Sequence, residues 1–102
     1  SPDGRTVYVS NSGSNNVSVV DVEAHSAVGT IPVGEGPHGI ALTPDGGRLF
    51  VSNRAGTTLS VIDPARSRTV QTVMIGVGPG HLTVTPDGER LLVNIRGTGG
   101  RP

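Results

Sequence analysis

Five residues carry side chains able to act on a ligand in places that local chain structure does not claim: Glu35, His38, Arg54, His81 and Arg96. Imidazoles ligate metals or move protons. Guanidinium groups grip carboxylates and phosphates through a planar fork of donors, and a nearby glutamate offers a base or a further ligand. Metal chemistry asks for tighter spacing than this. Two His and one Glu with neither i, i+4 nor a fixed loop spacing are a weak zinc signature, and no metal is expected. Acyl-transfer chemistry fares no better: no serine stands in a Gly-x-Ser-x-Gly elbow. Gly34-Glu35-Gly36 and Gly76-Val77-Gly78 resemble phosphate-binding loops, but such a loop opens a helix, and here a Pro-led extended run follows each. No cofactor is expected.

Those five residues are positioned by a repeat. Shifting the chain by 42 positions lays Thr43-Pro44-Asp45-Gly46 on Ser1-Pro2-Asp3-Gly4 without a gap. The same shift lays Val51-Ser52-Asn53 on Val9-Ser10-Asn11, Phe50 on Tyr8, and Gly76, Gly78 and Pro79 on Gly34, Gly36 and Pro37. A third copy begins at Thr85-Pro86-Asp87-Gly88 and stops partway. Each Pro-Asp-Gly is a turn: Pro presets φ, Asp bonds to nearby backbone, and Gly takes the left-handed conformation. Alternating β-rich runs follow at 6–11, 48–53 and 90–95. Further strands are read at 17–21 and 59–63, at 27–33 and 69–75, and at Pro37–Leu42 and Pro79–Val84. No segment spaces apolar residues for a helix.

Four short strands per period make a four-stranded antiparallel sheet. A fixed period of about 40 residues built from such sheets marks a propeller blade. The fold class expected is therefore all-β, a partial β-propeller. It divides into a partial blade at 1–36, a complete blade at 37–78 and a second partial blade at 79–96, with a disordered tail at 97–102. A ring cannot close with this, so the chain reads as a piece of a larger propeller whose remaining blades lie elsewhere. Copies of the chain completing a ring are the alternative.

Recurrence also filters the polar residues. Asp3, Asp45 and Asp87 belong to turns, and Asp21 and Asp63 close strands where a carboxylate accepts backbone N–H bonds. Alternation of chain direction sorts the loops onto two faces. The turns share one face with loops 22–26 and 64–68; the Gly-x-Gly-Pro connectors share the other with loops 12–16 and 54–58. Glu35, His38, His81, Arg54 and Arg96 all fall on this second face. His81 stands one position beyond the counterpart of His38, so period-two geometry turns the two imidazoles opposite ways. The plain alternative is that these side chains satisfy loop backbone at the blade edge.

Composition excludes several classes of function. Eight basic residues balance eight acidic ones, which removes the charge argument for nucleic acid or an anionic membrane. The basic residues are scattered without interleaved aromatics, so single-stranded nucleic acid is not expected. No run approaches the roughly 18 apolar residues of a bilayer span, and membrane insertion is not expected. With no cysteine there is neither a disulfide framework nor thiolate chemistry. The 16 Gly and 8 Pro recur in register and punctuate strands, where without a period they would signal disorder.

Tyr8-Val9-Ser10-Asn11, Phe50-Val51-Ser52-Asn53, the (Val/Leu)-Ser-Val-(Val/Ile)-Asp runs and the Gly-x-Gly-Pro connectors together resemble the YVTN family of β-propeller repeats. The resemblance covers the chain to Arg96. It departs in the third copy, where Asn94-Ile95 replaces Ser-Asn. It implies that Pro37–Leu42 and Pro79–Val84 are innermost strands beside a central channel, with 27–33 and 69–75 on the rim, and it implies a periplasmic or extracellular setting. Three functions are consistent with it. One is a non-catalytic scaffold or binding module that presents its loop face to a protein, peptide or glycan. The second is part of a propeller similar to lactonases, with Glu35, His38, Arg54 and Arg96 at a channel-mouth site. The third resembles haem-binding propellers, with His38 or His81 as axial ligand.

Overall fold

The computed structural model describes residues 1–95; Arg96 and the tail 97–102 lie outside the described residues. Nine strands follow one another: β1 (Thr6–Asn11), β2 (Asn16–Asp21), β3 (Ser26–Pro32), β4 (Pro37–Leu42), β5 (Leu49–Asn53), β6 (Thr58–Asp63), β7 (Arg68–Met74), β8 (Pro79–Val84) and β9 (Leu91–Ile95). They form a three-stranded sheet β1-β2-β3, a four-stranded sheet β4-β5-β6-β7 and a two-stranded sheet β8-β9, all antiparallel. The sheets stack face to face: β4 packs on β1 on one side and on β8 on the other, and β3 meets β7 at the rim. The protein is all-β, and its arrangement is that of a partial propeller.

Burial follows from this stacking. The middle sheet is covered on both faces, so β6 buries Leu59, Ser60, Val61 and Ile62 in succession and does not alternate. In β1 one face is covered and the other open, and its residues alternate half-buried and exposed. The core between the first two sheets is Val17, Ile31, Leu49, Val51 and Ile62, each fully buried, flanked by Tyr8, Val19, Val33, Ile40 and Leu42. With Tyr8 and Phe50 as the only aromatics, branched aliphatics supply the core volume, each buried side chain contributing about 1.5–3 kcal/mol.

Hydroxyl staples join neighbouring sheets. The Ser52 hydroxyl accepts the Gly39 N–H at 2.9 Å and donates to the Gly80 carbonyl at 2.5 Å, linking the innermost strands of two sheets. One period earlier, the Ser10 hydroxyl donates to the His38 carbonyl at 3.0 Å. Gly39 is where the strands come closest. A Cβ there would stand 2.6 Å from the Gly80 carbonyl oxygen and 2.5 Å from Leu82 Cδ2, which only glycine avoids. Within a sheet the following Asn does similar work: Asn53 Nδ2 donates to Thr58 Oγ1 and Ser60 Oγ, each at 3.0 Å, and Asn11 Nδ2 donates to Asn16 Oδ1 and Ser18 Oγ.

Candidate functional site

Both sets of loops close on themselves through the backbone, which fixes what each face offers. On the turn face, Asp45 Oδ1 accepts the Gly47 N–H at 2.8 Å and the Thr43 hydroxyl at 2.7 Å, and Thr43 Oγ1 accepts the Arg48 N–H at 3.0 Å. Thr85 with Asp87, and Ser1 with Asp3, rebuild the same circuit. These donors stabilise the ionised form, so all three carboxyls are held below the ordinary carboxylate range. For Asp45 the Gly47 N–H is the largest cause; for Asp3 and Asp87 it is the hydroxyl of Ser1 and of Thr85. Asp21 Oδ1 accepts the N–H groups of Glu23 and Ala24, and Asp63 Oδ1 that of Ala65, as strand-closing carboxylates should. A cleft of about 490 Å³ opens between the second and third turns, lined by Thr43, Asp45, Arg48 and Asp87. Its two carboxylates are already committed to their own turns.

The opposite face is built differently. Loop 54–58 is tied to the connector before β4 by Arg54 N–H to Gly36 O at 3.0 Å and Ala55 N–H to Glu35 O at 3.2 Å. The next connector is tied to the same loop by Gly78 N–H to Gly56 O at 3.2 Å. Gly36 gives its own N–H to Asn15 Oδ1 at 2.9 Å. The Gly36, Gly76 and Gly78 N–H groups, which a phosphate loop would turn outward, are spent inside the face.

Side chains converge in a cleft of about 250 Å³ between the innermost strands of the second and third sheets, lined by His38, Arg54, Gly78, Gly80, His81 and Asn94. The imidazoles of His38 and His81 meet edge to face, ring centroids 5.2 Å apart and planes 62° apart. Side chains turned opposite ways on two sheets stacked face to face meet across the gap between them. The pairing of β4 with β5 skips between Pro37 and Ile40, and that of β8 with β9 skips between Pro79 and Leu82. His38-Gly39 and Gly80-His81 sit in those irregular steps.

Position 54 is aimed by the repeat. Its counterpart Ser12 donates to the Pro37 carbonyl of the next innermost strand at 2.7 Å, and Arg54 occupies the same place one blade on, bordering Gly78 and Gly80. Of the expected site residues, three therefore meet: His38, Arg54 and His81. Glu35 is exposed on the same face and is not among the residues lining the cleft. Arg96 lies outside the described residues.

Sequence reasoning missed Asn94, which lines the cleft from β9. The signal was present, because Asn94 stands where Ser10 and Ser52 stand in the earlier copies. Among the described residues no group of three or more His, Cys, Asp or Glu could hold a metal ion, and no helix is long and apolar enough to cross a membrane.

Comparison with known proteins agrees with the architecture. Hydrazine synthase of Kuenenia stuttgartiensis superposes with a TM-score of 0.90 at 33% identity, over 93% of this chain and 27% of that one. Dihydro-heme d1 dehydrogenase NirN, in complex with DHE, gives 0.81 at 25% identity over 97% of this chain and 21% of its own. Among curated proteins, the PE-PGRS family protein PE_PGRS18 of Mycobacterium tuberculosis is 45% identical over 40 residues, which is 39% of this chain and 9% of that protein. The chain thus spans less than a third of each of these relatives. The family model of YNCE-like β-propellers matches residues 1–95, and the chain belongs to that family.

Proposed function

We propose that this chain is a binding module within a larger propeller, and that it presents its connector-and-loop face to a protein, peptide or glycan partner. The observation that carries this reading is the cleft of His38, Arg54, His81 and Asn94. Apart from the paired arginine positions, these residues break the 42-residue register, whereas the polar groups that keep it are used up in turns and staples. The blades divide as 1–36, 37–78 and 79–96, of YVTN type, with the remaining blades of the ring completing the channel. The short span relative to the matched structures supports a piece of a longer propeller.

The test is binding by the intact protein to peptide and glycan arrays. Signal for a true partner falls about tenfold or more in Arg54→Ala, the loss typical of a charge-assisted hydrogen bond. A signal undiminished for every bound probe both in Arg54→Ala and in Ser14→Trp, on the neighbouring loop of the same face, moves the contact surface elsewhere and ends the reading.

A second reading is a hydrolase similar to propeller lactonases, favoured by the exposed His38 imidazole beside Arg54. Against it, no carboxylate lines the cleft to orient that imidazole as a base. Turnover of lactones by the complete protein that is lost in His38→Ala would establish this reading over the first.

A further inference from the structure

The cleft between the second and third sheets has a one-sided chemistry. Arg54 brings five N–H donors in a fixed fork, Asn94 an amide, and His38 and His81 two imidazoles, and among the described residues no acidic one lines it. The acidic residue brought to this face is Glu35, in the connector before β4 and outside the lining. Of the elements that build the cleft, β4 contributes His38, the loop after β5 contributes Arg54, β8 contributes His81, and β9 contributes the neutral Asn94. The Gly36 and Gly78 N–H groups beside them are already engaged within the face.

Two imidazoles held with centroids 5.2 Å apart repel each other once both carry a proton. An anion seated between them and Arg54 removes that repulsion. Imidazole is the side chain whose charge changes between about pH 5 and pH 8. Binding of an anion here is therefore coupled to proton uptake, and by reciprocity proton uptake strengthens the anion.

The one guanidinium that lines the cleft among the described residues suits a planar, singly charged carboxylate, which it grips with two parallel bonds, whereas phosphate recognition in proteins generally gathers several cations. We propose that this cleft is a carboxylate-binding site, formed by His38, Arg54, His81 and Asn94, that receives an acidic side chain of a peptide partner and holds it more tightly as pH falls. The proposal deepens the binding-module reading by naming the chemistry of what that face accepts.

The experiment is an NMR titration of the intact protein with acetyl-(Glu)4-amide, acetyl-(Gln)4-amide and inorganic phosphate at pH 6 and pH 8. The expected result is saturable shifts of the His38 and His81 ring signals with the glutamate peptide only, and affinity at least about threefold higher at pH 6. Arg54→Gln lowers that affinity about tenfold or more. His38→Gln with His81→Gln leaves binding that no longer depends on pH, a readout that a merely structural role would not move. Equal binding of the glutamine peptide, tighter binding of phosphate, or pH-independent binding by the unaltered protein overturns the proposal. Failure here is separable from failure of the binding-module reading: an array partner lost in Ser14→Trp, on the neighbouring loop, but retained in Arg54→Gln sinks the carboxylate site and leaves the face as the docking surface.

Discussion

At one end of the sheets, the turns at 1–4, 43–46 and 85–88 build the same circuit three times, a hydroxyl and a carboxylate satisfying each other and the adjacent N–H groups. At the other end the backbone is closed just as tightly, but the side chains over it differ from blade to blade. Gly80 stands where His38 does, Gly39 where His81 does, and Ser52 where Asn94 does. The larger opening, about 490 Å³, is at the turn end, and the smaller, about 250 Å³, is at the connector end. Size alone would choose the first. Its carboxylates already have partners, however, whereas the second opening gathers donors that no blade structure consumes. A fold that repeats itself uses most recurring polar residues for its own closure, and, Arg54 apart, the side chains lining the second opening stand where the repeat is broken.

The strongest challenge to that contrast is at the floor of the connector end. Gly39→Ala forces a methyl to within 2.6 Å of the Gly80 carbonyl oxygen and is expected to cost about 3 kcal/mol in urea unfolding, the upper range for an overpacked core. Gly80→Ala, whose nearest new neighbour would be the Asn94 carbonyl at 3.7 Å, is expected to cost under about 1 kcal/mol. Similar losses for both would show that the two innermost strands do not approach at Gly39.

Comparable in size is Leu49→Ala. Leu49 is fully buried between the first two sheets, and truncation there costs about 2–5 kcal/mol. A smaller loss by calorimetry or urea would mean those sheets are not pressed together.

At the turn end the sharper probe is pH. The folded-state carboxyls of Asp3, Asp45 and Asp87 titrate below their ordinary value of 3.8. Their contribution is therefore fully present above that value and is lost as pH falls below it through the folded-state values. Comparing unfolding at pH 6 and pH 3, the triple variant Asp3→Asn, Asp45→Asn, Asp87→Asn should lose less stability on acidification than the unaltered protein. An identical pH response would remove the carboxylate circuits as a stabilising device.

Much of the architecture was legible because a repeat reports itself. The Pro-Asp-Gly signals mark where strands begin, and β1, β4 and β8 fall on the residues expected. Paired loops share a face because chain direction alternates. Strands β3 and β7 begin one residue earlier than the apolar pattern suggests, at Ser26 and Arg68, since backbone pairing continues through polar residues that add no hydrophobic signal. The meeting of His38 with His81 was not legible. It depends on which faces the two stacked sheets present to each other, and a period within one strand says nothing about the neighbouring sheet. The staple role of Ser10 and Ser52 was present as recurrence without a mechanism. Only the distance from each hydroxyl to the next innermost strand supplies one.

The most direct measurement sets the two kinds of residue side by side in urea unfolding of the intact protein. Ser10→Ala with Ser52→Ala removes both staples and leaves the buried Gly39 N–H and Gly80 carbonyl without their hydroxyl partner, a loss of about 2 kcal/mol or more. His38→Ala with Arg54→Ala trims exposed side chains of the cleft and should change stability by no more than about 0.5 kcal/mol. The reverse order, with the cleft pair costing more than the staples, would contradict the division between residues that hold the blades and residues free to hold a ligand.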